Sequence, residues 1–238
     1  MYSLHTSYEF QHHPNKVKGE GVLVALCSLF DYTHKEDVYQ RNFTMPSDST
    51  VFAGVNVSFG RKPITLAVLD EGSHIAVLEK CDIPKALASL QEYKNIRLAI
   101  DVPSSKTEQT AYVNFKKHLA EAGFPSSSNE DHTKRWFETD AQECYREWIG
   151  QSPLSRRILE GRLQRSLILH EHGLRIKDPM DVFEEITRFK LIKGVFRLEN
   201  VYSSKELDAL AAAYLAWMSI NRPEQIAATG ELVLPAQE

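Results

Sequence analysis

Four polar side chains stand where the surrounding pattern is apolar. Asn56 lies inside the run Val51-Phe-Ala-Gly-Val-Asn-Val-Ser58. Asp101 closes Ile96-Arg-Leu-Ala-Ile-Asp101, and Glu138 closes Arg135-Trp-Phe-Glu138. Asp208 falls in the first turns of a C-terminal helical pattern, beside its apolar stripe. Ligands of open α/β sheets gather outside the carboxyl ends of parallel strands. If the first and fourth strands are adjacent and parallel, Asn56 and Asp101 meet there. Carboxylates gathered at one point repel one another and become stable when a divalent cation neutralises them, and oxygen ligands suit Mg²⁺ or Mn²⁺. Two such ions, about 3.5–4 Å apart, activate water and stabilise the leaving oxygen in phosphodiester cleavage. Each residue also has a structural role open to it. Asp101 can cap the loop before Val102-Pro103, Glu138 can be a solvated strand-end charge, and Asp208 can complement a helix dipole. Glu206 reads as a capping-box residue rather than a ligand.

A second set of residues is basic. Arg156, Arg157, Arg162 and Arg165 gather in one helical pattern, Leu154 to His172. Arg157, Arg162 and Arg165 are the candidates for contact with nucleic acid, DNA or RNA. The same arginines also fit a solvated face paired with Glu160 or Glu171. Lys116, Lys117, Lys134 and Arg135 add basic character in mid-chain. His170 and His172 are two apart on a helix and face different ways, which argues against joint metal ligation. His12-His13 lies in a polar tail. Gly60 stands alone in its loop and matches no phosphate-cradling motif.

The elements that must position these residues follow from periodicity and turn chemistry. Val51–Ser58 and Ile64–Leu69 read as strands, and Asp70-Glu-Gly-Ser73 as a turn into a third strand, His74–Leu78. Pro84 opens a helix with Leu87, Leu90 and Tyr93 on one side. Ile96–Asp101 is a fourth strand, stopped by Pro103. Thr107–Ala122 is a helix ending at Gly123, and Arg135–Glu138 a short fifth strand. Asp140 caps the next helix, with Glu143 as box partner. Leu154–His172 and a helix from Asp178-Pro179 to near Gly194 follow. The last helix has Ser203 as cap, Glu206 as its box partner, and the stripe Leu207, Leu210, Ala211, Tyr214, Leu215, Met218. Its alanines permit close approach to a sheet. Three antiparallel strands followed by βαβ crossovers imply a mixed sheet with helices on its faces.

The chain of 238 residues carries a net charge of −4, so a nucleic-acid partner would need a local basic patch. Three cysteines, Cys27, Cys81 and Cys144, have no zinc-like spacing and read as reduced, packed thiols of a cytoplasmic protein. The N-terminus lacks the pattern of a signal peptide. The run Val22–Phe30 is too short to cross a membrane, and no membrane partner is expected. That run fits a buried strand or a short helix equally. Residues 1–50 are expected to be an N-terminal extension, partly disordered, with the main domain at 51–238. Oligomeric state is open.

The motifs in order resemble a known family. Phe52-Ala-Gly-Val-Asn-Val-Ser58 resembles the first strand of ribonuclease-H-like proteins, apolar-Gly-apolar-Asp. Leu98-Ala-Ile-Asp-Val-Pro103 and Trp136-Phe-Glu-Thr-Asp140 resemble the fourth- and fifth-strand motifs of the DUF429 family of predicted nucleases. Leu159-Glu-Gly-Arg-Leu-Gln-Arg165 resembles the helix that follows, Glu206-Leu-Asp-Ala-Leu-Ala-Ala-Ala213 its final helix, and Gly230-Glu-Leu-Val-Leu-Pro235 its closing strand. The resemblance implies a ribonuclease-H-like fold with a mixed five-stranded sheet flanked by helices. It implies a metal-dependent nuclease using Mg²⁺ or Mn²⁺, with Asp101, Glu138 and Asp208 at the acidic, metal-holding positions. The chain departs from the family at two places. Asn56 replaces the first-strand aspartate, and Thr139-Asp140 replaces an aromatic-Pro pair. An amide has one acceptor oxygen and no charge, so Asn56 is a weakened catalytic ligand. The alternative reading is a catalytically inactive member that binds nucleic acid or a protein partner.

Overall fold

The first strand, β1 (Thr50–Val57), is buried on both faces, which is why its sequence is an almost unbroken apolar run. The computed structural model describes residues 49–125, 134–229 and 232–236. β1 lies inside a seven-stranded sheet built with β2 (Ile64–Leu69), β3 (Ile75–Cys81), β4 (Asn95–Asp101), β5 (Lys134–Thr139), β6 (Ile226–Thr229) and β7 (Leu232–Pro235), and stands between β2 and β4. The order across the sheet is β3-β2-β1-β4-β5-β7-β6. β1, β2 and β3 form the expected antiparallel meander, while β4, β5 and β7 run parallel to β1. The expected five strands are therefore joined by two more. β7 falls where the closing strand was anticipated, and β6 pairs with it antiparallel as a terminal hairpin. β6 escaped the sequence reading because Ile226-Ala-Ala-Thr229 is short and two of its residues have little strand preference.

Among the described residues there are six α-helices: α1 (Ile83–Gln91), α2 (Lys106–Glu121), α3 (Ala141–Ile149), α4 (Leu159–Glu171), α5 (Pro179–Lys193), which packs on α4, and α6 (Ser204–Asn221). Alternation along each strand divides the core in two. Val51, Ala53, Val55, Ile96, Leu98 and Ile100 pack with Leu90 of α1 and with Tyr112, Phe115 and Leu119 of α2. Phe52 and Ala99 point the other way, into a core shared by α3, α4 and α6.

α6 is the helix that sets the site. Every residue from Leu207 to Ala216 is buried, because the helix is covered by the sheet on one side and by α3 and α4 on the other. It crosses β1 at Gly54. A Cβ there would lie 2.1 Å from the Ala209 carbonyl oxygen and 2.2 Å from the Ala213 nitrogen, so only glycine permits the contact. Ser203 and Glu206 form the expected capping box, with Ser203 N–H donating to Glu206 Oε2 at 2.6 Å.

Two element boundaries and one cap differ most from expectation. β3 runs on to Cys81, because charged Glu79 and Lys80 suit an edge strand and masked it in the pattern. α4 begins at Leu159, not Leu154, so Arg156 and Arg157 lie in the preceding loop, 151–158. Glu143 does not return a capping bond to Asp140 but pairs with Arg146 one turn on. Cys81 and Cys144 are free and buried. Among the described residues no helix is long and apolar enough to cross a membrane. Residues 1–48 of the expected extension, with Cys27, His12-His13 and the run Val22–Phe30, lie outside the described residues, as do residues 230–231.

Candidate functional site

Asn56 and Asp101 are register partners in the parallel pair β1–β4, at the carboxyl ends of both strands. Their side chains face α6 with those of Phe52 and Ala99. Asn56 Nδ2 donates to Asp101 Oδ2 at 2.7 Å. Asp101 Oδ1 accepts from the Ala141 N–H at 2.8 Å, the first amide of α3. Asp101 is thus 7 % exposed with one hydrogen bond on each oxygen, both from neutral donors. Asn56 Oδ1 is buried and has no hydrogen-bond partner.

Asp208 enters from α6, one residue before the helix meets Gly54. It is 1 % exposed. Gln142 Nε2 donates to its Oδ1 and Arg156 Nη1 to its Oδ2, both at 2.8 Å. The adjacent residues Ala141 and Gln142 therefore bond one carboxylate each, and α3 ties Asp101 to Asp208. Asp140, the cap of α3, accepts from the Gln142 and Glu143 amides on Oδ1 at 2.9 and 3.1 Å. Its charge acts on both neighbouring aspartates.

Burial raises the pKa of Asp101 well above the carboxylate range. The charge of Asp208 adds to this, and the Ala141 and Asn56 bonds oppose it. Burial also pushes Asp208 up, to about 6, against the pull of Arg156 and Arg165. A carboxylate raised in the folded state holds its proton more tightly there. The stability it contributes is complete below its unfolded value near 3.8 and is lost as pH rises through about 6. For Asp208 in chelator-treated protein that loss amounts to about 3 kcal/mol. Urea unfolding of the wild type and of Asp208→Asn, followed from about pH 4 to 8, is expected to show their stability difference moving by this amount against the wild type. Parallel profiles would show that Asp208 is not so shifted.

Of the other expected site residues, Glu138 is not part of this cluster. Thr139, not Glu138, is the register partner of Asp101. One residue's offset turns Glu138 to the opposite face with Trp136, where Lys116 pairs with it and stacks over the Trp136 ring. Asp140 stands nearer the place meant for it. The sequence reading assigned Asp140 only a capping role, although its departure from the aromatic-Pro pattern put a carboxylate beside the strand end.

The arginines also separate. Arg157 is exposed and Arg162 half-buried. Arg165 is 2 % exposed and offers nothing to a surface phosphate. Its Nη1 donates to the carbonyls of Leu154 and Gly161 at 2.7 and 2.9 Å, and its Nη2 to Gln142 Oε1 at 2.9 Å. Its guanidinium lies 5.3 Å from the centre of the Tyr145 ring. Arg165 therefore aims Gln142 at Asp208 from behind. Arg156, Gln142 and Asp140 are the site residues that spacing missed: Arg156 reaches Asp208 from the loop packed on α4, and Asp140 and Gln142 lie at the start of α3 rather than in an apolar run.

The donor set suits a hard cation. Asp101, Asp140 and Asp208 are close enough to act on one another's charge, Arg156 and Arg165 act on Asp208, and the orphaned amide oxygen of Asn56 is an unused oxygen ligand. Among the described residues no three His, Cys, Asp or Glu side chains lie together as a ready metal cluster, so an ion here would draw the carboxylates closer than they stand. A scan against models of known protein families finds no match, and a search of curated proteins finds none either.

Proposed function

We propose that the chain is a metal-dependent phosphodiesterase of ribonuclease-H-like fold that acts on nucleic acid and holds one Mg²⁺ or Mn²⁺ rather than two. One observation carries the reading. Two buried aspartates from different elements, Asp101 and Asp208, are held by adjacent residues of α3 at the carboxyl end of parallel strands and feel each other's charge, with an amide oxygen that has no partner on the Asn56 side chain bonded to Asp101. The strand order β3-β2-β1-β4-β5 supports the fold, with β7 and β6 as an added edge. The motifs in β1, β4 and α6 support the DUF429 likeness, and Asn56 limits it. Asp101, Asp208 and Asn56 Oδ1 would hold the ion, with Asp140 beside them. A bound ion would supply Lewis acidity towards a phosphoryl oxygen and a more acidic water. The chain's own contribution is to keep the carboxylates dry, fixed and oriented through Ala141 and Gln142. Arg157 and half-exposed Arg156 are the cations placed to meet phosphate.

A second reading has its own observation. Asn56 donates to Asp101 and Arg156 to Asp208, so both carboxylates are bonded without any ion. A silent nucleic-acid- or protein-binding module would need no more. Mn²⁺ titration by calorimetry separates the two. Wild type is expected to bind one ion, and Asp101→Asn to lose it. Cleavage of single- and double-stranded DNA and RNA with Mg²⁺ or Mn²⁺ is expected to rise by about 10- to 100-fold in Asn56→Asp and to vanish in Asp101→Asn. No saturable ion binding and no cleavage in any version would leave the silent module.

A further inference from the structure

The two donors on Asp208 are unlike. Gln142 is fixed from behind, its Oε1 taken by buried Arg165. Arg156 comes from the loop 151–158, its side chain is 42 % exposed against 1 % for Asp208, and among the described residues this pair is its only side-chain hydrogen bond. Water competes for the half-exposed guanidinium and the side chain loses freedom by holding one pose, while buried Asp208 needs a countercharge that an ion supplies equally well. A divalent ion and the Arg156 guanidinium are both cations drawn to Asp208 Oδ2, and their mutual repulsion at one oxygen sets them in competition for it.

We infer that Arg156 is a displaceable stand-in for the cation on Asp208. When an ion takes Oδ2, the guanidinium released at the mouth of the site becomes the receptor for a phosphate oxyanion. This rests on the ion-holding reading of the same cluster. The chemistry favours the exchange in both directions. A guanidinium presents paired N–H donors that match two phosphate oxygens, and phosphate replaces the anion that Arg156 has given up. Arg165 cannot take this part, because it is buried and its Nη1 and Nη2 donate to Leu154, Gly161 and Gln142 in the interior. Ion and phosphate should therefore bind with positive coupling, and the coupling should pass through Arg156.

The test uses the full chain, Arg156→Ala, Arg156→Gln and Asp101→Asn. Mn²⁺ affinity is read by electron paramagnetic resonance, and inorganic phosphate affinity by ³¹P line width with and without Mg²⁺. Both Arg156 variants are expected to bind Mn²⁺ about tenfold more tightly than wild type. They are also expected to lose a roughly tenfold gain in phosphate affinity that Mg²⁺ confers on the wild type. Without Mg²⁺ the versions should bind phosphate alike. Unchanged Mn²⁺ affinity, or a phosphate gain that survives in the variants, overturns the exchange while leaving the ion site standing. Absence of saturable Mn²⁺ binding in every version, or binding that persists in Asp101→Asn, overturns both.

Discussion

Asn56→Asp is expected to destabilise the chelator-treated protein by about 3–5 kcal/mol near pH 7.5, and millimolar Mg²⁺ or Mn²⁺ to restore most of that loss. One bond sets this outcome. Asn56 Nδ2 donates to Asp101 Oδ2 at 2.7 Å in a place that water barely reaches. A carboxylate at position 56 removes the donor and sets two acceptors face to face. Buried like charges this close cannot both stay ionised, so the pair takes up a proton as pH falls. The sign of the pH effect follows. The new aspartate has its folded pKa raised, so the penalty is small in acid and grows as pH rises through that value. An ion between the two carboxylates replaces the lost donor with a charge. Stability gained from such an ion at a hundredfold over its Kd is about 2.7 kcal/mol, enough to be plain in a melt.

Thermal melts with chelator and with Mg²⁺ read the effect directly. A loss of this size lowers the Tm of a domain of this length by about 10 °C. The double variant Asn56→Asp with Asp101→Asn is the control. It exchanges donor and acceptor across the same pair, so an amide again faces a carboxylate, and the Ala141 amide still finds an oxygen. Much of the lost stability should return without any ion. If Asn56→Asp is as stable as wild type in chelator, the two positions are not packed against each other as described.

How much of this was legible in the residues divides along physical lines. β1, β2, β4 and the last helix could be read, because burial on one or both faces leaves a periodic apolar imprint and Ser203 with Glu206 marks a helix start. Asn56, Asp101 and Asp208 were found because each breaks such an imprint. Glu138 was misplaced because strand residues alternate. The sequence shows a carboxylate at a strand end but not which face the final residue takes, and a register set by β4 decided it. The arginines were grouped by helical spacing, and spacing says nothing about where a helix begins. Gly161 settles it. A Cβ there would lie 2.0 Å from the Ser155 carbonyl oxygen, so the loop 151–158 packs on α4 and carries Arg156 to Asp208. That contact joins residues 52 positions apart in a partly buried setting, and no local pattern encodes it.

Arg165→Met is expected to cost about 3–5 kcal/mol, although the volume and the stem of the side chain are nearly kept. Arg165 is almost wholly buried, and burial lowers its pKa. Its charge faces Asp208 as well as the ring of Tyr145. Two acceptors outside the helix depend on it, the Leu154 carbonyl in the loop and Gln142 Oε1 in α3, and it gives a further bond to the Gly161 carbonyl, which also accepts within α4. Methionine fills the space and satisfies none of them. Each buried acceptor left alone costs on the order of 1–3 kcal/mol, and Asp208 loses a countercharge besides. The loss should also be local. The loop 151–158 is pinned through Leu154, so its amides should exchange hydrogen faster in the variant than in wild type, while those of β1 and β2 slow or quicken only with global stability. Arg157→Met, an exposed change two residues before α4, serves as the comparison and should stay within about 0.5 kcal/mol of wild type. Equal urea midpoints for Arg165→Met and Arg157→Met would mean that Arg165 does not hold the loop and Gln142 in place. In that case Asp208 would owe its orientation to α6 alone.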